Sequence, residues 1–260
     1  MNDATILLRA RGLTMRFGGV VALNELDLDV QRGEVLGLLG PNGSGKTTFF
    51  NVITGLYAPS AGQVRFADTD LFRASPQQVC RAGIARTFQR SRLCLPLSVF
   101  DNLMLGCHIH LDHGLLFNLL RRRRFEAELT RLQRRARELL ATFSPALADR
   151  LYQPVGAISM IDRRRIEVCR ALISDPRLLL LDEPSAGMTH DEADELLADV
   201  LRVRAGLGEL AIVLIEHEMG LIERVTDRCV VFNYGRKICE GSYRTIAADP
   251  WVQEAYLGQG

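Results

Sequence analysis

The sequence predicts an α/β domain with a parallel core sheet, an N-terminal antiparallel β part and an inserted α-helical subdomain. Alternating apolar and polar residues at 7–11 and 26–30 are typical of half-exposed antiparallel strands. Further along, continuously apolar runs alternate with helical segments, which favours a buried parallel sheet. Residues 100–145 interrupt this alternation with a mostly helical pattern, which indicates an insertion.

The individual elements follow from the same periodicities. Residues 34–40 predict a buried strand, and a helix follows from Thr47 with Gly55 as its stop. The later segments are predicted as a hairpin at 61–72, helices at 166–173 and 190–204, and strands at 178–181 and 209–217. We therefore expect one domain with a core of residues 1–90 and 166–260 and an inserted helical subdomain of residues 91–165.

Composition limits the classes of function. The chain has 260 residues, of which 47% are apolar and 24% charged, as in ordinary globular proteins. Its net charge of +1 argues against a nucleic-acid partner. We expect no secretory signal and no membrane-spanning helix, because no apolar run approaches about 20 residues. A role at a membrane would therefore require docking onto a membrane protein.

The six cysteines form no C-x-x-C pair, and several lie within apolar or helical stretches. This spacing indicates buried free thiols in a reducing compartment and supports neither a disulfide framework nor a zinc site. The cysteines are Cys80, Cys94, Cys107, Cys169, Cys229 and Cys239.

The segment G-P-N-G-S-G-K-T at 40–47 matches the phosphate-binding loop G-x-x-x-x-G-K-[ST], between a predicted strand and a predicted helix. Glycines allow the loop to aim its N–H groups at phosphate oxygens, and the helix adds its positive N-terminal end. Lys46 can reach the outer phosphates, and the Thr47 hydroxyl can bind Mg²⁺. The candidate nucleotide-binding residues are Gly40, Pro41, Asn42, Gly43, Ser44, Gly45, Lys46, Thr47 and Thr48.

A pair of acids closes the apolar run L-L-L-L-D-E-P. Asp182, at the end of a buried strand, can hold Mg²⁺ through water. Glu183 can then orient or deprotonate the attacking water, since phosphoryl transfer depends mainly on positioning and charge neutralisation. The alternative is a pair of helix-capping acids. A phosphate loop followed by this acid pair predicts a P-loop NTPase.

Together these motifs resemble the ATP-binding cassette (ABC) family, over almost the whole chain. The resemblance implies that Gln89 in A-R-T-F-Q-R contacts the metal and the catalytic water, so that Thr47, Gln89 and Asp182 surround Mg²⁺. It also implies that His217 contacts the γ-phosphate and that Phe17 in M-R-F-G-G stacks on adenine. S-A-G-M at 185–188 is similar to the family's dimer-crossing loop. The alternatives are a solvated Gln89, a structural His217 and a core Phe17.

Three stretches are similar to the ATPases of branched-chain (hydrophobic) amino acid importers, namely V-F-D-N-L-M-L-G, I-E-H-E-M-G-L-I and V-Q-E-A-Y-L-G. Importers of urea and amides share much of this pattern, so the solute follows from resemblance alone. The resemblance implies a peripheral protein at the cytoplasmic face of the inner or plasma membrane. Its implied partners are a second ABC ATPase subunit, two transmembrane permease subunits and a periplasmic or extracellular solute-binding protein.

Two other features have open interpretations. A metal could bind the imidazole and carboxylate groups of His108, His110, Asp112 and His113, but the spacing of these residues matches no common metal site. The arginine-rich segment around Arg121–Arg124 is more typical of a solvated helix face than of a surface for lipid headgroups or nucleic acid.

The family's signature L-S-G-G-Q aligns with I-S-M-I-D at 158–162, ahead of R-R-R-I-E. Ser159 is retained, whereas Met160 and Ile161 replace both glycines and Asp162 replaces glutamine. A branched side chain fills the space that glycine leaves for phosphate, and Asp162 adds negative charge there. The resemblance implies that this segment contacts the γ-phosphate of ATP held by the other subunit of a head-to-tail dimer. We therefore expect an asymmetric heterodimer in which the site formed by the partner's phosphate loop and residues 158–162 is impaired.

Three other functions are alternatives to a transport ATPase. A soluble cassette protein of translation or DNA repair usually carries two cassettes or a long coiled-coil insert, which this chain lacks. The placement of Gln89 and His217 argues against a P-loop kinase or another NTPase. The presence of Glu183 argues against a regulatory subunit without turnover, because non-hydrolysing cassettes often lose that acid.

Overall fold

The computed structural model describes residues 5–89, 92–107 and 122–257, without the side chains at 122, 123, 256 and 257. The strands are β1 Ile6–Phe17, β2 Val20–Gln31, β3 Val35–Leu39, β4 Ala61–Phe66, β5 Thr69–Asp70, β6 Ile84–Arg86, β7 Leu178–Asp182, β8 Ala211–Ile215, β9 Arg228–Asn233 and β10 Arg236–Gly241. The helices are α1 Lys46–Ile53, α2 Pro76–Ala82, α3 Val99–Cys107, α4 Arg122–Phe143, α5 Pro145–Asp149, α6 Met160–Leu172, α7 His190–Leu207, α8 Met219–Val225, α9 Tyr243–Ala247 and α10 Pro250–Leu257, and a 3₁₀ turn spans Val155–Ala157.

The described part of the chain divides into two compact units. The first extends to Arg86 and also includes Arg177–Pro184 and the chain from Leu207 onward. The second comprises Thr87–Pro176 and Ser185–Gly206. The second unit therefore extends beyond the predicted insert of residues 91–165, since it contains all of α6 and most of α7.

The first unit contains two sheets. One is antiparallel, in the order β2-β1-β4-β5, and β1 pairs with β2 as the alternating pattern predicts. The other has the order β10-β9-β3-β8-β7-β6, with parallel pairing from β9 to β6 and an antiparallel β10 at one edge. Strands β3, β7 and β8 are buried along their whole length, which explains their continuously apolar sequences. The predicted α/β fold with a parallel core sheet is confirmed.

The core of the first unit is one continuous apolar cluster that contains residues of both sheets and of α1. Phe49 and Phe50 of α1 are fully buried in it, and the ring of Phe49 meets the ring of Phe232 edge-on, with their centroids 5.8 Å apart. Helix α1 begins at Lys46, one residue before the predicted start, and ends at Ile53. Burial of these rings anchors the helix that follows the phosphate loop.

The second unit is helical. Helices α3 and α6 cross so closely that a Cβ at Gly106 would collide with the backbone carbonyl of Arg170. Arg165 on α6 makes ion pairs with Glu195 and Asp199 on α7, at 2.5 and 3.0 Å. These contacts explain why α6 and α7 group with the inserted helices rather than with the sheets.

Asn102 on α3 is fully buried and holds the preceding loop. Its side-chain oxygen accepts a hydrogen bond from the Cys94 N–H at 2.8 Å, and its amide donates to the carbonyls of Cys94 and Ser98 at 3.1 and 2.9 Å. A buried amide with three partners fixes the backbone around it.

All six cysteines are free thiols, but they differ in burial. Cys107, Cys169 and Cys229 are buried, and Cys94 is exposed on the loop before α3. Burial raises the pKa of the Cys107 thiol to about 11. The expectation of buried thiols was therefore wrong for Cys94, because its loop lies at the surface.

Several predictions fall outside the described residues. These are the candidate metal ligands His108, His110, Asp112 and His113, Arg121, and the side chains of the two arginines that follow it. Across 5–89, 92–107 and 122–257, no helix is both long and apolar enough to cross a membrane. The same ranges hold no cluster of three or more His, Cys, Asp or Glu side chains arranged for a metal ion.

Candidate nucleotide site

The predicted phosphate loop joins β3 to α1 and is shaped by its glycines. Gly40, Gly43 and Gly45 have φ angles of 139°, 76° and 108°, which L side chains rarely adopt. A Cβ at Gly45 would also lie 2.7 Å from the carbonyl oxygen of Ala22. The backbone of the loop therefore takes a course that only glycine allows at these positions.

Two buried side chains of the loop indicate that it binds an anionic ligand. The Lys46 ammonium donates to the carbonyls of Gly40 and Pro41, at 2.5 and 3.0 Å. The Ser44 hydroxyl oxygen is buried and has no hydrogen-bond partner. A buried hydroxyl without a partner is costly, and a phosphate oxygen would satisfy it. The loop therefore fits a nucleotide polyphosphate.

Three parallel strands bring the predicted acids and histidine to the same edge as the loop. The loop follows β3, His217 comes two residues after β8, and Asp182 ends β7, with β8 between the other two strands. The carboxyl ends of parallel strands form the usual ligand site of an open α/β sheet. Burial lowers the pKa of the Lys46 ammonium, and the charges of Glu183 and Asp182 oppose that shift. The ammonium thus lies within the field of both acids.

Glu183 contacts His217 directly. Its Oε1 lies 2.9 Å from Nε2 of the imidazole. The backbone of Glu183 has a φ of 49°, in the left-handed region, and its N–H donates to the Ile215 carbonyl at 2.9 Å. This conformation is unfavourable for a residue with a side chain, and the hydrogen bond to β8 contributes to holding it. The same turn holds the carboxylate beside the histidine.

Asp182 has a buried partner that belongs to none of the predicted motifs. Its Oδ2 accepts a hydrogen bond from the Arg86 guanidinium at 2.6 Å, and the two side chains are only 4% and 5% exposed. The guanidinium also donates to the Asn51 side-chain oxygen at 2.7 Å and lies over the Phe50 ring, 5.3 Å from its centroid. Arg86 ends β6 and therefore links that strand to β7 and to α1.

Phe17 ends β1 and is 43% exposed. Its ring meets Tyr57 edge-on, with the centroids 5.2 Å apart. An exposed aromatic face supported from one side is a suitable platform for a planar base. Sequence reasoning singled out Phe17 but not Tyr57, because the two rings are 40 positions apart and their contact depends on the fold.

Gln89 and the loop at 185–188 are linked by one arginine within the second unit. Arg164 on α6 donates to the backbone carbonyls of Gln89 and Ala186, at 3.2 and 3.3 Å. It also pairs with Glu167 at 2.9 Å. The helix that begins at the signature position is therefore bonded to both functional loops that the resemblance identifies.

The signature segment forms the start of α6. Ser159 is the N-cap, and its hydroxyl accepts a hydrogen bond from the Asp162 N–H at 3.3 Å. The Asp162 carboxylate pairs with Arg165 at 3.0 Å and lies 3.9 Å from Arg150. Met160 is 63% exposed and Ile161 is half-buried. The negative charge of Asp162, which we expected to add to that of an anionic ligand, is shared with two arginines of its own unit.

Comparison with known proteins gives the family. A model described as "ABC transporter" matches residues 23–186, and one described as "Branched-chain amino acid ATP-binding cassette transporter" matches residues 236–260. The protein LivG of Escherichia coli, described as a high-affinity branched-chain amino acid transport ATP-binding protein, is 37% identical over 258 residues, which cover 97% of this chain and 98% of LivG. BraF of Pseudomonas aeruginosa, described in the same words, is 35% identical over 255 residues, with 97% and 98% covered.

Solved structures agree with these relatives. A nucleotide-free ATP-binding cassette from an ABC transporter superimposes with a TM-score of 0.83 at 27% identity, covering 98% of this chain and all of that one. An ATP-binding cassette in its ADP conformation gives a TM-score of 0.82 at 28% identity, with 98% and 99% covered. With a family model matched over 23–186 and full-length relatives above 30% identity, the chain belongs to the ABC transporter family, as an ATP-binding subunit with ATPase activity.

Proposed function

We propose that the chain hydrolyses ATP to drive an importer for branched-chain amino acids. The observation that carries the ATPase site is the contact between Glu183 and His217 at the sheet edge that holds the phosphate loop. The solute class rests on the relatives, which are named for branched-chain amino acid transport, and on the matched segment 236–260.

In the proposed site, the chain's own groups bind and orient the nucleotide. The loop at 40–45 surrounds the phosphates, Lys46 balances charge on the outer ones, and the Ser44 hydroxyl donates to a phosphate oxygen. The exposed face of Phe17 stacks on adenine, with Tyr57 behind it.

Mg²⁺ is the implied metal, and the residues present fit it. Hydroxyl and carboxylate oxygens suit Mg²⁺, which takes one or two protein ligands and completes its shell with phosphates and water. Thr47 and Asp182 supply those oxygens, and we assign Gln89 to the same metal from the family resemblance. When bound, Mg²⁺ neutralises charge that develops on the phosphates.

Glu183 is the proposed base for the attacking water. Its carboxylate takes a proton from the water or fixes its direction, and the imidazole of His217 keeps the carboxylate in place. The His217 side chain is 52% exposed, and we assign it to the γ-phosphate from the family resemblance. Positioning of this kind supplies most of the catalysis in phosphoryl transfer.

We propose that the working assembly is asymmetric. In this reading, residues Ser159–Asp162 face nucleotide held by a second, different ATPase subunit. Met160 and Ile161 block the close approach of a phosphate that glycines would permit. The assembly includes two permease subunits and a solute-binding protein, and this chain lies at the cytoplasmic face of the membrane.

Uptake in a reconstituted system tests the proposed solute. The complex of this chain with the membrane proteins and binding protein of its own genome is placed in vesicles with ATP inside. We expect ATP-dependent uptake of labelled leucine, and no uptake when the chain carries E183Q. Urea serves as the competing solute, and uptake of urea in place of leucine would refute the proposal.

A further inference from the structure

Arg86 places a fixed positive charge against the proposed magnesium-binding acid. The guanidinium lies 2.6 Å from Oδ2 of Asp182, and both side chains are almost completely shielded from water. Shielding strengthens the attraction between two opposite charges, because little water is present to screen it. In this structure Asp182 therefore presents a compensated charge, rather than a full negative one, to its surroundings.

Helix α1 also holds the Arg86 side chain. A second guanidinium nitrogen donates to the Asn51 side-chain oxygen at 2.7 Å, and the planar group lies over the Phe50 ring. Both partners belong to α1, the helix that begins with Lys46 and Thr47. A planar guanidinium with two hydrogen-bonding edges can join two elements in one orientation, which a flexible ammonium cannot do.

Because Arg86 compensates the negative charge of Asp182, it should weaken the binding of free metal and favour the binding of metal-free nucleotide. An uncompensated carboxylate attracts a free divalent cation strongly, and it repels polyphosphate that carries no metal. Lys46, which binds the phosphates in the proposed site, already lies within the field of Asp182. Any change in the charge of this acid is therefore felt where the phosphates bind.

We propose that Arg86 is a positioning residue that tunes the metal dependence of nucleotide binding. It lowers the affinity of Asp182 for free Mg²⁺ and reduces the repulsion between Asp182 and metal-free ATP. Metal thus enters together with the nucleotide. This inference rests on the proposed role of Asp182 in Mg²⁺ binding.

The test compares ATP binding with and without metal in the full-length chain. The dissociation constant of a fluorescent ATP analogue is measured in saturating Mg²⁺ and in EDTA, and the ratio of the EDTA value to the Mg²⁺ value is the readout. In R86Q we expect the ratio to rise by at least about tenfold, since close charge pairs couple by more than the free energy that corresponds to tenfold. R86K, which keeps the charge, should stay within about threefold of the original ratio.

R177Q is the matched control. Arg177 lies over the Phe66 ring at 4.9 Å and donates to the Ala82 carbonyl, just before the opposite end of β7 from Asp182. Its loss removes a similar cation–ring contact without changing the charge near the phosphates, so the ratio should not change. An equal change in R86Q and R177Q would show a purely structural role and overturn the inference. An unchanged or lower ratio in R86Q would do the same.

Two further variants keep the test decisive. D182N should abolish most of the metal dependence, and R86Q should have no additional effect on the ratio in the D182N background. A D182N ratio equal to that of the original chain would refute the role of Asp182 itself. If D182N loses its metal dependence as expected but R86Q leaves the ratio unchanged, only the role of Arg86 is refuted.

If R86Q does not fold, N51D replaces it. A second carboxylate then shares the Arg86 charge, and the ratio should rise by about threefold. A constant ratio in N51D would contradict the inference.

Discussion

At the scale of single residues, the candidate site depends on a few side chains held in unfavourable or shielded positions. Glu183 occupies the left-handed region with a φ of 49°, and it is held there by β8 through the Ile215 carbonyl. Such strain is tolerated when the surrounding structure determines the conformation, and it is common at functional sites. The backbone turn and the contact with His217 together fix the carboxylate.

Substitution of Glu183 by Gln should stop hydrolysis and leave ATP binding intact. The amide keeps the size of the side chain but cannot accept a proton, and loss of a general base typically lowers the rate by about 10²–10⁴-fold. Steady-state ATPase assays and equilibrium nucleotide binding measure the two effects separately. E209Q, at an exposed acid paired with Arg32, is the control. Retention of more than about a tenth of the rate in E183Q would contradict the proposed base.

Local sequence was enough to predict Lys46, Thr47, Asp182 and Glu183 as candidates, because each lies in a contiguous motif beside a buried strand. It did not predict Arg86 as a partner of Asp182. The two residues are 96 positions apart, and they meet only because β6 pairs with β7. No strand is predicted at 84–86 from the sequence, and both the burial of Arg86 and its charge partner depend on strand order.

At the scale of elements, the phosphate loop is determined by glycine more than by any side chain. Gly43 and Gly45 both have left-handed φ values, but their surroundings differ. A Cβ at Gly45 would lie 2.7 Å from the Ala22 carbonyl oxygen, whereas a Cβ at Gly43 would meet no atom within 4 Å. The loop is therefore packed closely against β2 at one glycine and open at the other.

This difference predicts unequal costs for alanine substitution. G43A should lower the free energy of unfolding by about 1–2 kcal/mol, the conformational cost alone. G45A should lower it by about 2–4 kcal/mol, because overpacking against the backbone adds to the same cost. Urea unfolding of the two variants measures the difference. Equal losses would show that the contact with Ala22 is relieved without cost.

Helix boundaries illustrate how far periodicity reaches. The residues 166–173 were predicted as a helix, and α6 contains all of them except Ile173 but begins earlier, at Met160. Its first turn lacks the apolar spacing that marks the rest, because Asp162, Arg163 and Arg164 face ion pairs and backbone carbonyls instead of the core. Ser159 caps this first turn, since its hydroxyl accepts a hydrogen bond from the Asp162 N–H.

At the scale of the whole molecule, the signature segment and the catalytic acids belong to different units of the chain. In the proposed assembly, residues 158–162 serve nucleotide that another subunit holds. The chain alone should therefore be a poor ATPase, and a partner with an intact signature should raise its turnover.

Restoring glycine at the altered positions tests this asymmetry. The double variant M160G/I161G should raise the ATPase rate of the assembled complex, up to about twofold if the second site becomes fully active, because the backbone can then approach phosphate closely. M160A/I161A, which keeps a Cβ at both positions, is the control and should give a smaller gain. An unchanged rate, with both sites already equally active, would refute the asymmetric heterodimer.

The sequence by itself determined the phosphate loop, the acid pair, the α/β class and the family, because each depends on short contiguous motifs or on local periodicity. The tertiary structure decided which charges compensate one another. Arg86 meets Asp182, His217 meets Glu183, and Arg150 lies near Asp162 only through strand order and helix packing. The physical reason is that ion pairing depends on distances of a few ångströms between residues far apart in the chain, and no local pattern encodes those distances.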